Sequence, residues 1–351
     1  MSIADFSGTA RPALRGVGLF MALGLVLAVA ACSAGPSTRS APPTAAPRQA
    51  APSVSRSALP RPRPQTAALR KSRADAARDR DGAAPGPASQ AVAAYLRKVE
   101  SSLLSRGLLR ADRSPADAPI TADSLTRDFI EIALYDEYTR EGDNLVARSR
   151  PAPLRRWHDP VRMQIVFGDS IDSASRSRDS AMIAGFANRL SEVSGHPVSM
   201  TGANGNFLVL VLTEDERRAF GPRLSRLVPG IPDADIHAIR DLNPQNYCSA
   251  FAYSRGSDPV YSQVVALIRA ELPQRLRLSC IHEELAQGMG LANDSPRARP
   301  SIFNDDEEFA LLTLHDEMLL KILYDPRLKP GMNAAQARPV VNQIARELVG
   351  N

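Results

Sequence analysis

Beyond residue 88 the spacing of apolar side chains changes period several times, and each change marks an element. Val92, Leu96, Val99 and Leu103 recur at three- and four-residue steps, the period of one helix face, with a start at Ser89 and a stop at Gly107. A second helix is expected over Asp123–Tyr138, with Phe129, Ile132 and Ala133 on one face. The period then shortens to two in Val161–Phe167, the alternation of a strand. A helical stretch over Ser177–Val193 runs to Gly195, followed by strands near Val198–Thr201, Phe207–Leu212, Ser249–Ser254 and Val260–Ile268. Helices are expected again over Pro273–Leu291, Leu314–Tyr324 and Pro339–Val349, the last with proline at a tolerated first-turn position. The pattern predicts an α+β fold in which strands come first and the long helices late.

The N-terminus follows a different logic. Arg11 and Arg15 precede an almost uncharged apolar run, Val17–Val29, and Val29-Ala30-Ala31 places small residues before Cys32. That V-A-A-C ending resembles the lipobox of bacterial lipoproteins. The resemblance implies a signal peptide over 1–31, a diacylglyceryl group on Cys32, and an exported, periplasm-facing chain held to the membrane by its lipid. The apolar run is shorter than the roughly 20 residues that a spanning helix needs.

Charge sharpens the division. The net charge is +5, but residues 33–85 hold ten basic side chains against three acidic ones, in a Pro-, Ala- and Ser-rich stretch. The remainder from residue 86 onward is therefore slightly acidic. A segment so poor in large apolar groups cannot offset its ordering entropy, so 32–88 is expected to be a disordered tether. It has the chemistry of a solubilising spacer or of a contact with anionic envelope polymers. With the basic charge confined there, nucleic-acid binding is not expected. Once Cys32 is lipidated, Cys248 and Cys280 remain, and an exported compartment tolerates a bond between them. Two buried free thiols are the alternative. A helical lead-in over 89–140 and a main domain over 141–351 complete the expected organisation.

The candidate chemistry lies late in the chain. Glu283-Glu284-x-x-Gln287-x-x-Gly290-x-x-Asn293-Asp294 resembles the metzincin pattern H-E-x-x-H-x-x-G-x-x-H, position for position. Gly290 stands where that family turns out of its active-site helix, and Ser301-Ile302-Phe303 resembles its Met-turn, with Phe303 in the methionine place. The resemblance implies a zincin-like domain, Glu284 at the general-base position, and Glu283, Gln287 and Asn293 at the metal-ligand positions. The same stretch, with Leu323-Tyr324-Asp325-Pro326-Arg327-Leu328 and Gly331-Met332, resembles the domain-of-unknown-function 2927 family of bacterial envelope proteins.

The departures decide what to expect of it. One carboxylate and two neutral amides are not the nitrogen or sulfur donors that zinc prefers, and without the ion no bound water is activated. Glu283 and Glu284 are adjacent, so their directions from the helix differ by about 100°. A polar cluster supporting the helix end is one reading of these side chains. His282 is expected on a neighbouring helix face, at the surface or behind the cluster, and His315 in the first turn of a helix capped by Thr313 and Asp316. Asp305, Asp306, Glu307 and Glu308 read as an acidic helix start, or as oxygen donors that complete a calcium site with Asn304 and Asp294. The functional expectation is a non-catalytic domain that binds a protein or peptide ligand and needs no cofactor. The alternatives are a metal-dependent hydrolase with an atypical divalent site, and a structural envelope lipoprotein.

Overall fold

The structure is a computed structural model that describes residues 85–141, 144–304 and 306–350; of 137–141 and 144–148 it describes the backbone alone. The expected signal peptide, Cys32 and all but the last residues of the tether lie outside the described residues. Those that are described fall in one unit, Pro64–Asn351.

Two helices come first: α1 (Pro87–Ser105), with Pro87 in its first turn, and α2 (Ala122–Ala133), opened by a reciprocal Thr121–Ser124 capping box. The expected second helix stops short, because the chain turns at Leu134 into a hairpin, β1 (Tyr135–Glu141) and β2 (Asn144–Pro151). The helical lead-in is no separate body. Leu96, Leu125, Phe129 and Ile132 are buried in the same core as the sheet and the late helices.

The main sheet is built from β3 (Arg156–Trp157), β4 (Val161–Phe167), β5 (Val198–Met200), β6 (Phe207–Leu212), β7 (Cys248–Ser254) and β8 (Val260–Arg269). Its order is β5-β4-β6-β8, all parallel, and beyond β8 come a short parallel β3 and an antiparallel β7. The fold is thus mixed α/β, with a mainly parallel sheet and several helices. The uninterrupted apolar run of β6 reflects burial on both faces, which parallel strands with helices on either side require. Phe207, Val209 and Val211 face the large core beneath α3 (Ser173–Ser194) and α7 (Gln274–Gln287). Leu208, Leu210 and Leu212 face a second core with Phe220, Leu224 and Ile239.

Those three residues cap or belong to short helices that the sequence pattern did not suggest, α4 (Glu214–Ala219), α5 (Gly221–Leu227) and α6 (Asp233–Arg240). Beneath them Arg217, Arg269 and Glu214 are almost fully buried together, both guanidinium groups standing 2.6 Å from one Glu214 oxygen. Arg269 also donates to the carbonyls of Leu242 and Asn243, at 2.8 and 2.9 Å. Removing these charges from water is costly unless their remaining donors are satisfied; apart from the Arg217 Nε, which meets no acceptor among the described residues, they are spent on the chain that leads to β7.

The chain closes with α8 (Leu314–Tyr324) and α9 (Ala334–Val349). α9 begins five residues before the expected start, set by an Asn333–Gln336 capping box, and Pro339 lies inside it. The carbonyl that Pro339 leaves without a donor belongs to exposed Ala335, where water can serve it.

Candidate functional site

The end of α7 is fixed by three contacts that sequence spacing only hints at. The Trp157 indole donates to the Gly288 carbonyl and the Tyr324 hydroxyl to the Met289 carbonyl, both at 2.8 Å. Gly290 has φ +124°, and a Cβ there would come 2.5 Å from the Arg155 carbonyl oxygen, so glycine is required on two counts. Farther back along the helix Cys248 and Cys280 form a disulfide, Cα–Cα 5.8 Å, that ties the first residue of β7 to α7. The site helix is therefore held at its exit and along its side, against the strand at the end of the sheet.

Between them lies a cleft of about 990 Å³. Cys248–Tyr253 of β7 form one wall, Glu283, Glu284 and Gln287 of α7 the floor, and Leu103 and Arg106 at the end of α1 part of the rim. β7 pairs only with β8 among the described residues, so its other edge presents backbone groups to this cleft. Asp136 and Arg155, joined at 2.7 Å, stand at the same opening with Tyr261, whose hydroxyl burial pushes up to about 12.

The expected site residues divide. Glu283 and Glu284, adjacent and predicted to diverge, bring an oxygen each within 4.8 Å of one another and of the Cys248 sulfur. Glutamate has three rotatable bonds, enough to bend two carboxylates from neighbouring positions toward one space. Gln287 also lies in the cleft, and its amide nitrogen donates to Asp294 at 3.3 Å. Asn293 does not join them. Its side chain donates to the Glu131 carbonyl at 2.8 Å and its backbone N–H to the Ile132 carbonyl at 3.0 Å, so it staples the post-helix turn to α2. Asp294 takes the place in the cleft that the motif alignment gives to Asn293.

These donors do not fit a zinc ion: they are oxygens, the three motif positions do not converge, and the nearby sulfur is committed to the disulfide.

The histidines are structural. His282 stacks on Phe186 with ring centroids 4.0 Å apart, and its Nδ1 accepts the Leu312 N–H at 2.9 Å. Burial holds it down to about 4, so it is neutral at pH 7 rather than a surface group. His315 is fully buried in the first turn of α8, with Nε2 3.0 Å from Asp128. Burial alone would lower its proton affinity, but Asp128 and Asp316 raise it to about 9.

Asp316 closes the Thr313 capping box and also accepts from Ser301 Oγ at 2.6 Å and Ile302 N–H at 3.2 Å. It thereby pins the loop that carries buried Phe303 under the site helix. The acidic run is no helix start, since the next helix begins at Leu314. Glu308 instead pairs with Arg110 and Arg299, and the Leu109 N–H donates to the Glu307 carbonyl at 2.9 Å. The run thereby brings Asp306 and Glu307 to the cleft.

Residues 122–343 match the profile of a family described as "Protein of unknown function (DUF2927)". The chain belongs to that family. The matched span starts at α2 and ends within α9, so in this DUF2927 member it takes in the hairpin, the whole sheet, the cleft floor and the Phe303 loop. No curated protein and no solved structure matches the chain. Among the described residues, no helix of this DUF2927 chain is long and apolar enough to cross a membrane.

Proposed function

We propose that this DUF2927 protein is an exported lipoprotein, anchored through Cys32, whose zincin-like cleft binds an extended protein or peptide segment without cleaving it. The observation that carries the reading is the edge of β7 that pairs with no other described strand and lies along a cleft of about 990 Å³. A strand edge supplies sequence-independent backbone hydrogen bonds, and the cleft walls supply side-chain selection. Support for the zincin-like frame comes from the site helix, its exit at Gly290, the buried loop at Phe303 and the closing helix α8. Support for a binding rather than a cleaving role comes from the oxygen-only donor set and from the position of Asn293.

The test has two arms. The purified protein is expected to carry no stoichiometric zinc and to cleave no generic peptide. Added extended peptides are expected to slow amide exchange over Ser249–Tyr253. Peptide cleavage, or no protection of β7 by any peptide, overturns the proposal.

A second reading, a hydrolase, draws on the approach of the Glu283 and Glu284 oxygens, which is the requirement for a carboxylate pair sharing acid and base work. It predicts a bell-shaped pH–rate profile that vanishes in Glu284→Gln.

A further inference from the structure

The start of the site helix has no cap of its own. Pro273 stands at the N-cap position of α7 and offers no side-chain acceptor, so the first-turn N–H groups of Arg275 and Leu276 need one from elsewhere. It comes from α1. One Glu100 carboxylate oxygen accepts both, at 2.8 and 2.9 Å. These are the second and third helical donors, the pair that an N-cap serine or aspartate normally serves, and a carboxylate there also meets the positive end of the helix dipole.

That contact joins two walls of the cleft. Leu103 and Arg106, one to two turns beyond Glu100, stand on the rim, while Glu283, Glu284 and Gln287 of α7 form the floor. α7 has 14 residues, about 21 Å of rod, so a hold on its first turn helps set where its second half stands. α1 is itself firmly seated. Val92, Leu96 and Leu103 are buried in the large core. At its start, Ser89 Oγ donates to Asp215 of α4 at 2.5 Å and accepts the Asp215 N–H at 3.1 Å. Beyond its end, the Arg110 N–H donates to the Glu308 carbonyl and the Ala310 N–H to the Arg110 carbonyl, both at 2.8 Å. α1 also lies ahead of the 122–343 span that matches the family.

Resting on the peptide-binding reading above, we propose that Glu100 is a positioning residue for ligand binding: by linking α1 to the start of α7, it sets the spacing between the rim and the floor of the cleft. α1 thereby belongs to the binding apparatus, although it precedes the family span. Arg277, in the same turn of α7, pairs with Asp179 of α3 at 2.7 Å. Without Glu100 the helix therefore stays attached to the core and loses its hold on α1. Rim and floor can then part, and some of the binding energy goes into bringing them back.

The experiment uses the purified full-length protein and seven-residue peptides, the length of β7, in which valine alternates with serine, glutamine or lysine. Slowed amide exchange over Ser249–Tyr253 identifies the peptides that dock, and fluorescence anisotropy gives their affinity. Glu100→Ala is expected to leave the protein folded, speed exchange of the Arg275 and Leu276 N–H groups, and weaken peptide binding about three- to ten-fold, the range that the worth of a helix cap allows. Glu100→Gln keeps an oxygen acceptor and should retain most of the affinity.

Adding Pro273→Asp to Glu100→Ala separates positioning from plain capping. It gives α7 an acceptor of its own but no link to α1. Protection of the two N–H groups should return while affinity stays low. If affinity returns with the protection, Glu100 merely caps a helix and the proposal is overturned. Equal affinity in Glu100→Ala and the unaltered protein also overturns it and leaves the peptide-binding cleft standing. If no peptide protects β7 in the unaltered protein, the underlying reading fails and the proposal with it.

Discussion

Two neighbouring helices, α7 and α8, carry acidic side chains at comparable density and use them in opposite ways. In α8, Asp316 is fully buried and accepts from Ser301, Ile302 and both the N–H and hydroxyl of Thr313, while Glu317 receives Arg113 and Arg189. In α7, Glu283 and Glu284 line the open cleft. Buried carboxylates with every lone pair engaged hold loops in place; carboxylates in a recess shape what can enter it. The difference teaches where mutation should strike stability and where it should strike binding.

The largest effect is expected at Asp316. Its replacement by alanine leaves the Ser301 hydroxyl and two backbone N–H groups without their acceptor and removes one of the two charges that support the buried His315 cation. Breaking such a network costs about 3–5 kcal/mol. Urea denaturation should show that loss, with the Phe303 loop losing exchange protection first. A shift below about 1 kcal/mol would break the contrast between the two helices.

Reducing the disulfide, or replacing Cys248 and Cys280 by alanine, comes next. It closes a sequence separation of 32 residues, a loop for which chain entropy gives about 3–4 kcal/mol. Because the bond joins β7 to α7, its loss should also weaken peptide binding. Unchanged binding in a folded variant would show that the sheet alone positions the cleft wall.

Proton linkage offers a third test, and its two histidines act on opposite sides of neutrality. The folded value of His315 is raised from 6.5 to about 9, so its stabilisation is fully present below pH 6.5 and is lost as pH rises through 9. That of His282 is lowered from 6.5 to about 4, so its contribution is present above pH 6.5 and is lost as pH falls through 4. Each limb is worth up to about 3 kcal/mol. His315→Gln should flatten the alkaline limb alone, and a His315→Gln curve that still falls between pH 6.5 and 9 would remove the buried cation from the account.

Most of the sheet was legible in the sequence because its strands are buried on both faces or alternate cleanly. Phe207–Leu212 and Leu314–Tyr324 fall where their patterns place them. Element ends were less legible. The helix over Ala122–Ala133 was expected to run on to Tyr138, yet tertiary pairing turns the stretch from Tyr135 into β1. The short helices α4 to α6 escaped notice because their buried side chains include Arg217 and Asp235, which read as surface residues until their partners are known.

At the site, spacing placed Glu283, Glu284, Gln287 and Gly290 on one helix and its exit, a matter of local geometry. It did not tell which of Asn293 and Asp294 enters the cleft. That depends on α2, some 160 residues away in sequence, whose terminal carbonyls capture Asn293. Nor did it reveal that β7 has an open edge, since alternation reports a strand and not its neighbours.

The smallest effect on stability, and the sharpest probe of the comparison, is expected at Glu283. The side chain is half-buried on the cleft floor, within reach of the Glu284 carboxylate, so Glu283→Gln removes one of two like charges while keeping size and hydrogen-bonding capacity. Relief of that repulsion offsets the lost charge interactions, and unfolding free energy should move by less than about 1 kcal/mol in either direction. Binding should respond differently. A peptide docked along β7 meets an altered floor, so its affinity should fall while the fold stands. Calorimetry on the folded variant separates the two quantities. If Glu283→Gln unfolds the protein as Asp316→Ala does, the acids of α7 are structural like those of α8; if it leaves the affinity for extended peptides unchanged, the floor takes no part in binding.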